Sequence, residues 1–190
     1  STFLTKSGQV FAWGDNRVGQ LGIGVALVTP TPIKVLGLPT ISAVSAGGRH
    51  TLSLSQDGRV FAWGDNQYGQ LGDQTFVGHA SPVQVRDLAD ISTLAAGLLH
   101  SLAVTKDGTV WAWGENYFGQ LGLGANDQSS VSSPHLVPGL SAVKLVSAGW
   151  GHTLAVSTEG NIWAWGNNAN GQLGDGTVNS THSPILLRTI

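Results

Sequence analysis

The 190-residue chain has no cysteine, no methionine and only 11% charged residues. The absence of cysteine excludes a disulfide framework, thiolate metal sites and a thiol nucleophile, and leaves the redox compartment open. Without methionine the sequence is not a complete, unprocessed translation product, and the expectation is a piece of a longer protein. Nine Lys and Arg against eleven Asp and Glu give a formal charge of −2. No basic field therefore favours nucleic acid, and no basic run suggests a membrane surface. No stretch reaches the roughly 20 apolar residues of a membrane span, so membrane insertion is not expected, and the amino end lacks the basic-then-apolar order of a signal peptide.

What is present is repetition. The stretch Trp63-Gly64-Asp65-Asn66-Gln67-Tyr68-Gly69-Gln70-Leu71-Gly72 returns in altered form from Trp13, Trp113 and Trp165. The first two steps are 50 residues each and the third is 52. Apolar positions in Leu52-Ser53-Leu54 and Val60-Phe61-Ala62-Trp63 alternate with period two, which is the strand pattern and not the helical one. Short strands at a period near fifty, with Trp and several Gly in each copy, predict an all-β fold: a β-propeller of about four four-stranded blades. Its core lies between blades, so each blade needs a neighbour.

In the second copy the strands are expected over Ile41 to Ala46, Arg49 to Ser55, Arg59 to Gly64 and Pro82 to Arg86. Hairpins fall at Gln56-Asp57-Gly58, Lys106-Asp107-Gly108, Thr158-Glu159-Gly160 and Lys6-Ser7-Gly8, each closed by a Gly that supplies positive φ. Longer, variable connections such as Val25 to Thr31 and Ala125 to Ser133 lead to Pro32, Pro82, Pro134 and Pro184, which are expected to open the fourth strands. The blades then span 1–40, 41–90, 91–142 and 143–190. Ser1-Thr2-Phe3-Leu4 aligns approximately with His50-Thr51-Leu52-Ser53, so blade one lacks its first strand, and Ile185 to Arg188 reads as the last strand of blade four. Neither end supplies the missing strand. The expectation is an incomplete arc of a larger ring or half of an oligomeric ring, a native four-bladed ring being weakened by the missing strand. Burial at about 25 cal/mol per Å² favours covering the bare end faces, either by homodimerisation or by the remaining blades of a longer chain.

The Gly-rich loops do not open helices and carry no following Lys with Ser or Thr, so they read as backbone turns with inward Gln and Leu, not as phosphate cradles. Asn16, Asn66, Asn116 and Asn168 are expected to bond the loop backbone. Asp175-Gly176 lacks the alternating oxygen ligands of a calcium loop. His50, His100 and His152 recur after Ala-Gly and suit hydrogen bonding to a neighbouring blade better than a metal ring, since symmetry around an axis keeps them apart. His79, His135 and His182 fall in variable connections and are expected to be solvated. No nucleophile with a base stands out, so no catalytic residue, metal or cofactor is assigned.

Positions that differ among copies report surface. They include Arg17, Gln67, Tyr68, Tyr117 and Phe118 in the organising loops, and Arg49, Leu98, Leu99 and Trp150 between Ala-Gly and His. Large apolar and aromatic loop residues are what an interface hot spot uses, so these nine are the candidate partner-binding set.

Ser45-Ala46-Gly47-Gly48-Arg49-His50-Thr51-Leu52, Asp57-Gly58-Arg59-Val60-Phe61-Ala62-Trp63-Gly64 and Gly69-Gln70-Leu71-Gly72 resemble the repeats of the regulator of chromosome condensation family, and the resemblance covers the whole chain. It implies a propeller, usually of seven blades, closed by strands from both termini. The family's founding activity, nucleotide exchange on the GTPase Ran, uses an inserted wedge for which no counterpart is identified here. Other members resemble protein-binding platforms, among them a bacterial secreted β-lactamase inhibitor that uses aromatic loop residues. The wording from Trp163 to Thr177 resembles bacterial members, many of them extracellular, and a bacterial extracellular or cell-surface location is the matching expectation. The resulting reading is a non-catalytic protein-binding scaffold. The alternatives are a small-ligand or glycan-binding module on the propeller face, using Trp150, Tyr68 and Tyr117, and a guanine nucleotide exchange factor.

Overall fold

The computed structural model describes residues 1–124 and 128–187. Part of the variable connection from Ala125, and Arg188 and Ile190 at the carboxyl end, lie outside them. The described residues form fifteen strands and no helix.

The strands make four antiparallel meanders in chain order. The first sheet has three strands: β1 (Thr2–Leu4), β2 (Val10–Gly14) and β3 (Thr29–Lys34). The second holds β4 (Ile41–Ala46), β5 (His50–Ser55), β6 (Val60–Gly64) and β7 (His79–Gln84). The third holds β8 (Ile91–Ala96), β9 (His100–Thr105), β10 (Val110–Gly114) and β11 (Val131–Leu136). The fourth holds β12 (Val143–Ala148), β13 (His152–Ser157), β14 (Ile162–Gly166) and β15 (Thr181–Leu187). The first strand of each four-stranded sheet sits innermost, β4 against β8 and β8 against β12. The strand missing from the first sheet is therefore the axial one. Strand β5 is buried at every position because a sheet covers each of its faces.

Two sequence expectations need correction. The fourth strands begin before their prolines, at Thr29, His79, Val131 and Thr181. Between Ala62 and Gly64 of β6 the partner residues run from Val83 back to His79 on β7, so the outer strand bulges, and Pro82 sits inside that bulge. A missing N–H is harmless there, because the outer strand pairs on one side only. The amino-terminal alignment also moves by one residue. Leu4 pairs Val10 as Leu54 pairs Val60, and Ser1 exchanges both backbone bonds with Trp13, which makes Ser1 the counterpart of Thr51.

The blades are joined through one carbonyl at each seam. Gln70 C=O accepts the Trp113 indole N–H at 2.9 Å and the Ser101 hydroxyl at 2.8 Å, both from the next blade. Gln20 C=O receives Trp63 and Thr51, and Gln120 C=O receives Trp165 and Thr153, in the same way. Ser101 spends its proton on Gln70, so it accepts from His50 Nε2–H at 2.9 Å, and Thr153 stands likewise toward His100. Backbone bonds from Gly48 N–H to Gly97 C=O and from Leu98 N–H to Gly149 C=O tie the axial loops together. Trp63, Trp113 and Trp165 are wholly buried, with Leu52, Leu71, Leu102, Leu121 and Val104 among the packed core around them.

Burying a Trp removes roughly 150–250 Å² from water, an upper bound of about 4–6 kcal/mol per seam at 25 cal/mol per Å². The glycines of the organising loop make room for it: a Cβ on Gly72 would lie 2.8 Å from Trp113 Nε1. On the outer face of blade four the counterpart Gly174 meets no described atom within 4 Å, and Trp13, on the opposite end face, is only half-buried. Both end seams of the described arc are open.

Trp113→Ala is expected to cost about 3–5 kcal/mol, and Trp113→Phe, which loses the indole bond but keeps the Ser101 bond to Gln70, about 0.5–1.5 kcal/mol. Equal losses for the two in urea melts would show that the bond, not the burial, holds the seam.

The buried rings set a pH dependence. Burial lowers His50 to about 4 and His100 to about 3, from an ordinary value near 6.5. Above pH 6.5 both states are neutral and the rings are indifferent to pH. As pH falls below 6.5 the unfolded chain binds protons that the folded one refuses, so stability declines toward the folded values. Replacing His50 with Gln is expected to flatten the decline of melting temperature between pH 6.5 and 4; an unchanged slope in the variant counts against this assignment.

Candidate partner-binding face

The turns between first and second strands, and the loops between third and fourth, emerge at the same end of each meander. All nine sequence candidates lie in these loops and so share one face. The structure sorts them into an aromatic half and a charged half.

In the aromatic half, Phe118 of blade three leans over the axial loop of blade four. Its Cδ2 would be 3.0 Å from a Cβ on Gly151, so Gly at that position is what lets the ring cross the seam. Phe118 meets Trp150 at 5.3 Å between centroids and Tyr117 edge-on at 4.8 Å. Such ring pairs contribute about 0.5–1.5 kcal/mol beyond area burial. Phe118 is half-buried, whereas Tyr117 and Trp150 remain 60% and 58% exposed. Beneath the cluster, Glu115 accepts a bond from Gln120 Nε2 at 3.0 Å, and burial pushes its carboxyl up from the ordinary value.

In the charged half, Arg17 grips Asp15 with two bonds of 2.9 and 3.0 Å, and Arg49 reaches Asp65 at 3.2 Å. Asp65 is buried while Arg49 is half-exposed, so this pair anchors the axial loop of blade two to its own organising loop. Arg17 and Arg49 line one 390 Å³ cavity across the first seam, with Gln20 and Gly48.

Leu98 bridges the halves. A Cβ on Gly48 would come within 2.3 Å of its Cδ1, and with Trp150 it borders a 260 Å³ depression over the axis floored by Ala46, Gly47, Gly97 and Gly149. Leu99 is half-buried, and Gln67 and Tyr68 are exposed. These three share the face without joining either cluster.

The loop scaffold behaves as its repetition implies. Asn66 Oδ1 accepts Leu71 N–H while Nδ2 donates to Thr75 and Val77 carbonyls, and Asn168 does the same for Leu173, Thr177 and Asn179. Gln70 Oε1 caps Tyr68 N–H. Asp175 accepts from Asn168 Nδ2 and from the Thr177 N–H and hydroxyl.

Sequence reasoning did not assign the seam hydroxyls Thr51, Ser101 and Thr153, although a Ser or Thr after each His was visible. The remaining histidines lie in or at the start of outer strands, not in free connections. His79 bonds Asp73 at 3.0 Å, His182 is half-buried with its carbonyl taken by Gly124 N–H, and His135 is exposed.

Comparison with known proteins agrees with the geometry. The Ultraviolet-B receptor UVR8 of Arabidopsis thaliana is 37% identical over 98% of this chain, which spans 43% of the receptor. Human WBSCR16 superposes with a TM-score of 0.87 at 28% identity, over 99% of this chain and 50% of that one. Yeast RCC1 (Prp20), solved with Kap60, superposes with a TM-score of 0.85 at 26% identity, over 99% and 46%. The chain thus spans about half the length of these relatives. The family model described as the RCC1-like domain matches residues 1–189, and the chain belongs to that family.

Proposed function

We propose that the chain is a non-catalytic protein-binding scaffold whose partner docks on the loop face at Trp150, Phe118 and Tyr117. The observation that carries this reading is the aromatic cluster: two largely exposed rings are held by a third that is wedged over a seam. Rigid, exposed aromatic groups on preordered loops are the anchors of protein interfaces. Yeast RCC1, solved bound to Kap60, gives a family precedent for a protein partner.

The His50–Ser101 contact has the reach of a nucleophile and base, but it supports no catalysis. Both residues are sealed from solvent, Ser101 donates to Gln70, and the arrangement recurs as His100–Thr153. A glycan on this face would need polar groups beside the stacking rings. The depression next to Trp150 offers mainly Ala and Gly backbone, and Tyr68 stands apart from the aromatic cluster. Those features favour an apolar protein anchor.

The same reading has the open seams covered, by a second copy or by further blades of a longer chain. Self-association through them is expected to raise the solution mass from 19.7 kDa toward twice that value with concentration in light scattering, whereas a constant monomer mass assigns the cover to further blades.

Trp150→Ala is expected to weaken partner capture by roughly 30-fold, the equivalent of a hot spot of about 2 kcal/mol, while the loss of its ring contact lowers the melting temperature by only about 2–4 °C. Lys106→Ala, on the hairpin at the opposite end of the sheet, serves as the control. Retention of every partner by Trp150→Ala and Phe118→Ala in quantitative pull-downs would sink the proposal.

A further inference from the structure

Blade two carries a cavity of about 760 Å³ on its outer rim, within the ~300–1,000 Å³ range of small-ligand sites. Asp73, Gln74, His79, Gln84, Arg86 and Asp87 line it, with Val83 as an apolar patch. Its construction is peculiar to this copy. Gln74 adopts φ +70°, where the other copies place Gly24, Gly124 and Gly176 at +81° to +85°. Asp87 adopts φ +57°, where the first and third copies place Gly37 and Gly139 at +79° and +77°. Thus a left-handed position that is glycine in the other three copies, and one that is glycine in the first and third, carry polar side chains here, and those side chains meet: Gln74 Nε2 donates to Asp87 Oδ2 at 2.7 Å.

The opposite wall is equally singular. His79 Nε2 bonds Asp73 Oδ2, and Asp73 Oδ1 is filled by Asn66 and by the Thr75 N–H and hydroxyl. Blade four keeps the acid as Asp175 but has Thr181 at the histidine position. Besides Asp73, Thr75 and His79, the polar residues that line the cavity are Gln74, Gln84, Asp87 and Arg86, and Arg86 has no ion-pair partner among the described residues. The carboxylates of Asp73 and Asp87 outnumber the one guanidinium of Arg86, so an anion is disfavoured, while donors from Asn66, Thr75, His79 and Gln74 already occupy those carboxylates. Acceptors and planar donors side by side suit groups that both donate and accept, namely hydroxyls.

We propose that this rim cavity binds a neutral saccharide unit, its hydroxyls bridging Asp87 and Gln74 to Arg86 and Gln84. The site lies apart from the aromatic face and stands whether or not that face binds protein.

Glucose, galactose, mannose and N-acetylglucosamine titrated into ¹⁵N-labelled protein provide the test. At least one is expected to shift the amide signals of Gln74, Thr75 and Asp87 with millimolar affinity. Gln74→Gly restores the residue of the other three copies and Asp87→Gly that of the first and third, so both variants are expected to fold at least as stably as the parent while binding roughly tenfold more weakly, as the loss of one hydrogen bond implies. Silence toward all four sugars overturns the proposal. So does a response that survives both glycine substitutions, or one given by the zwitterion alanine and by no sugar.

Discussion

Each seam depends on a backbone carbonyl that its own blade leaves unsatisfied. Gln20, Gln70 and Gln120 present C=O groups that accept an indole N–H and a hydroxyl from the following sheet, and none of these donors has a partner within its own blade. A blade is therefore a conditional structure. Its Trp is buried, and its polar groups are matched, only when the neighbour is in place, which makes stability a sum over seams and not over blades. The histidine bond is the second layer of the same dependence: each imidazole is neutral because it is buried, and buried because the next blade closes over it.

That arrangement bears directly on what the loop face can do. Phe118 belongs to blade three but rests above Gly151 of blade four, and Leu98 of blade three rests on Gly48 of blade two. The side chains offered to a partner are thus positioned by contacts between blades and share the rigidity of the seams beneath them. Little side-chain freedom is left to lose on binding at Phe118, while Trp150 stays exposed at its edge. Arg49 shows the polar counterpart: its bond to the buried Asp65 fixes the axial loop and leaves half of the guanidinium side chain at the surface.

Much of this was legible because repetition exposes scaffold. Strand β4 matches its expected bounds at both ends, and Trp63, Gln70, Leu71 and Asn66 are all buried as the recurring stretch requires. The boundaries of the outer strands were not legible. Proline normally marks a strand start, but a bulged outer strand tolerates it internally, and a bulge leaves no periodic signature. The amino-terminal register was off by one because Ser1 and Thr2 are chemically alike, and only pairing with Trp13 separates them. For the binding face, the nine variable positions were visible, but their division was not. Phe118 reaches Trp150 because Gly151 faces it across its seam, whereas the position equivalent to Gly151 in the next blade from Tyr68 is Leu99, and that is a pairing between blades that no single copy reveals.

Departures from a repeat carry energy as well as information. A left-handed backbone costs a non-glycine residue about 1–2 kcal/mol, and blade two accepts that at both Gln74 and Asp87 where the first and third copies use glycine. The hydrogen bond between the two side chains returns about 0.5–1.5 kcal/mol, enough to offset one position and not both. Two non-glycine residues held in the left-handed region around one cavity are the departure that sets this rim apart from its counterparts in the first and third copies.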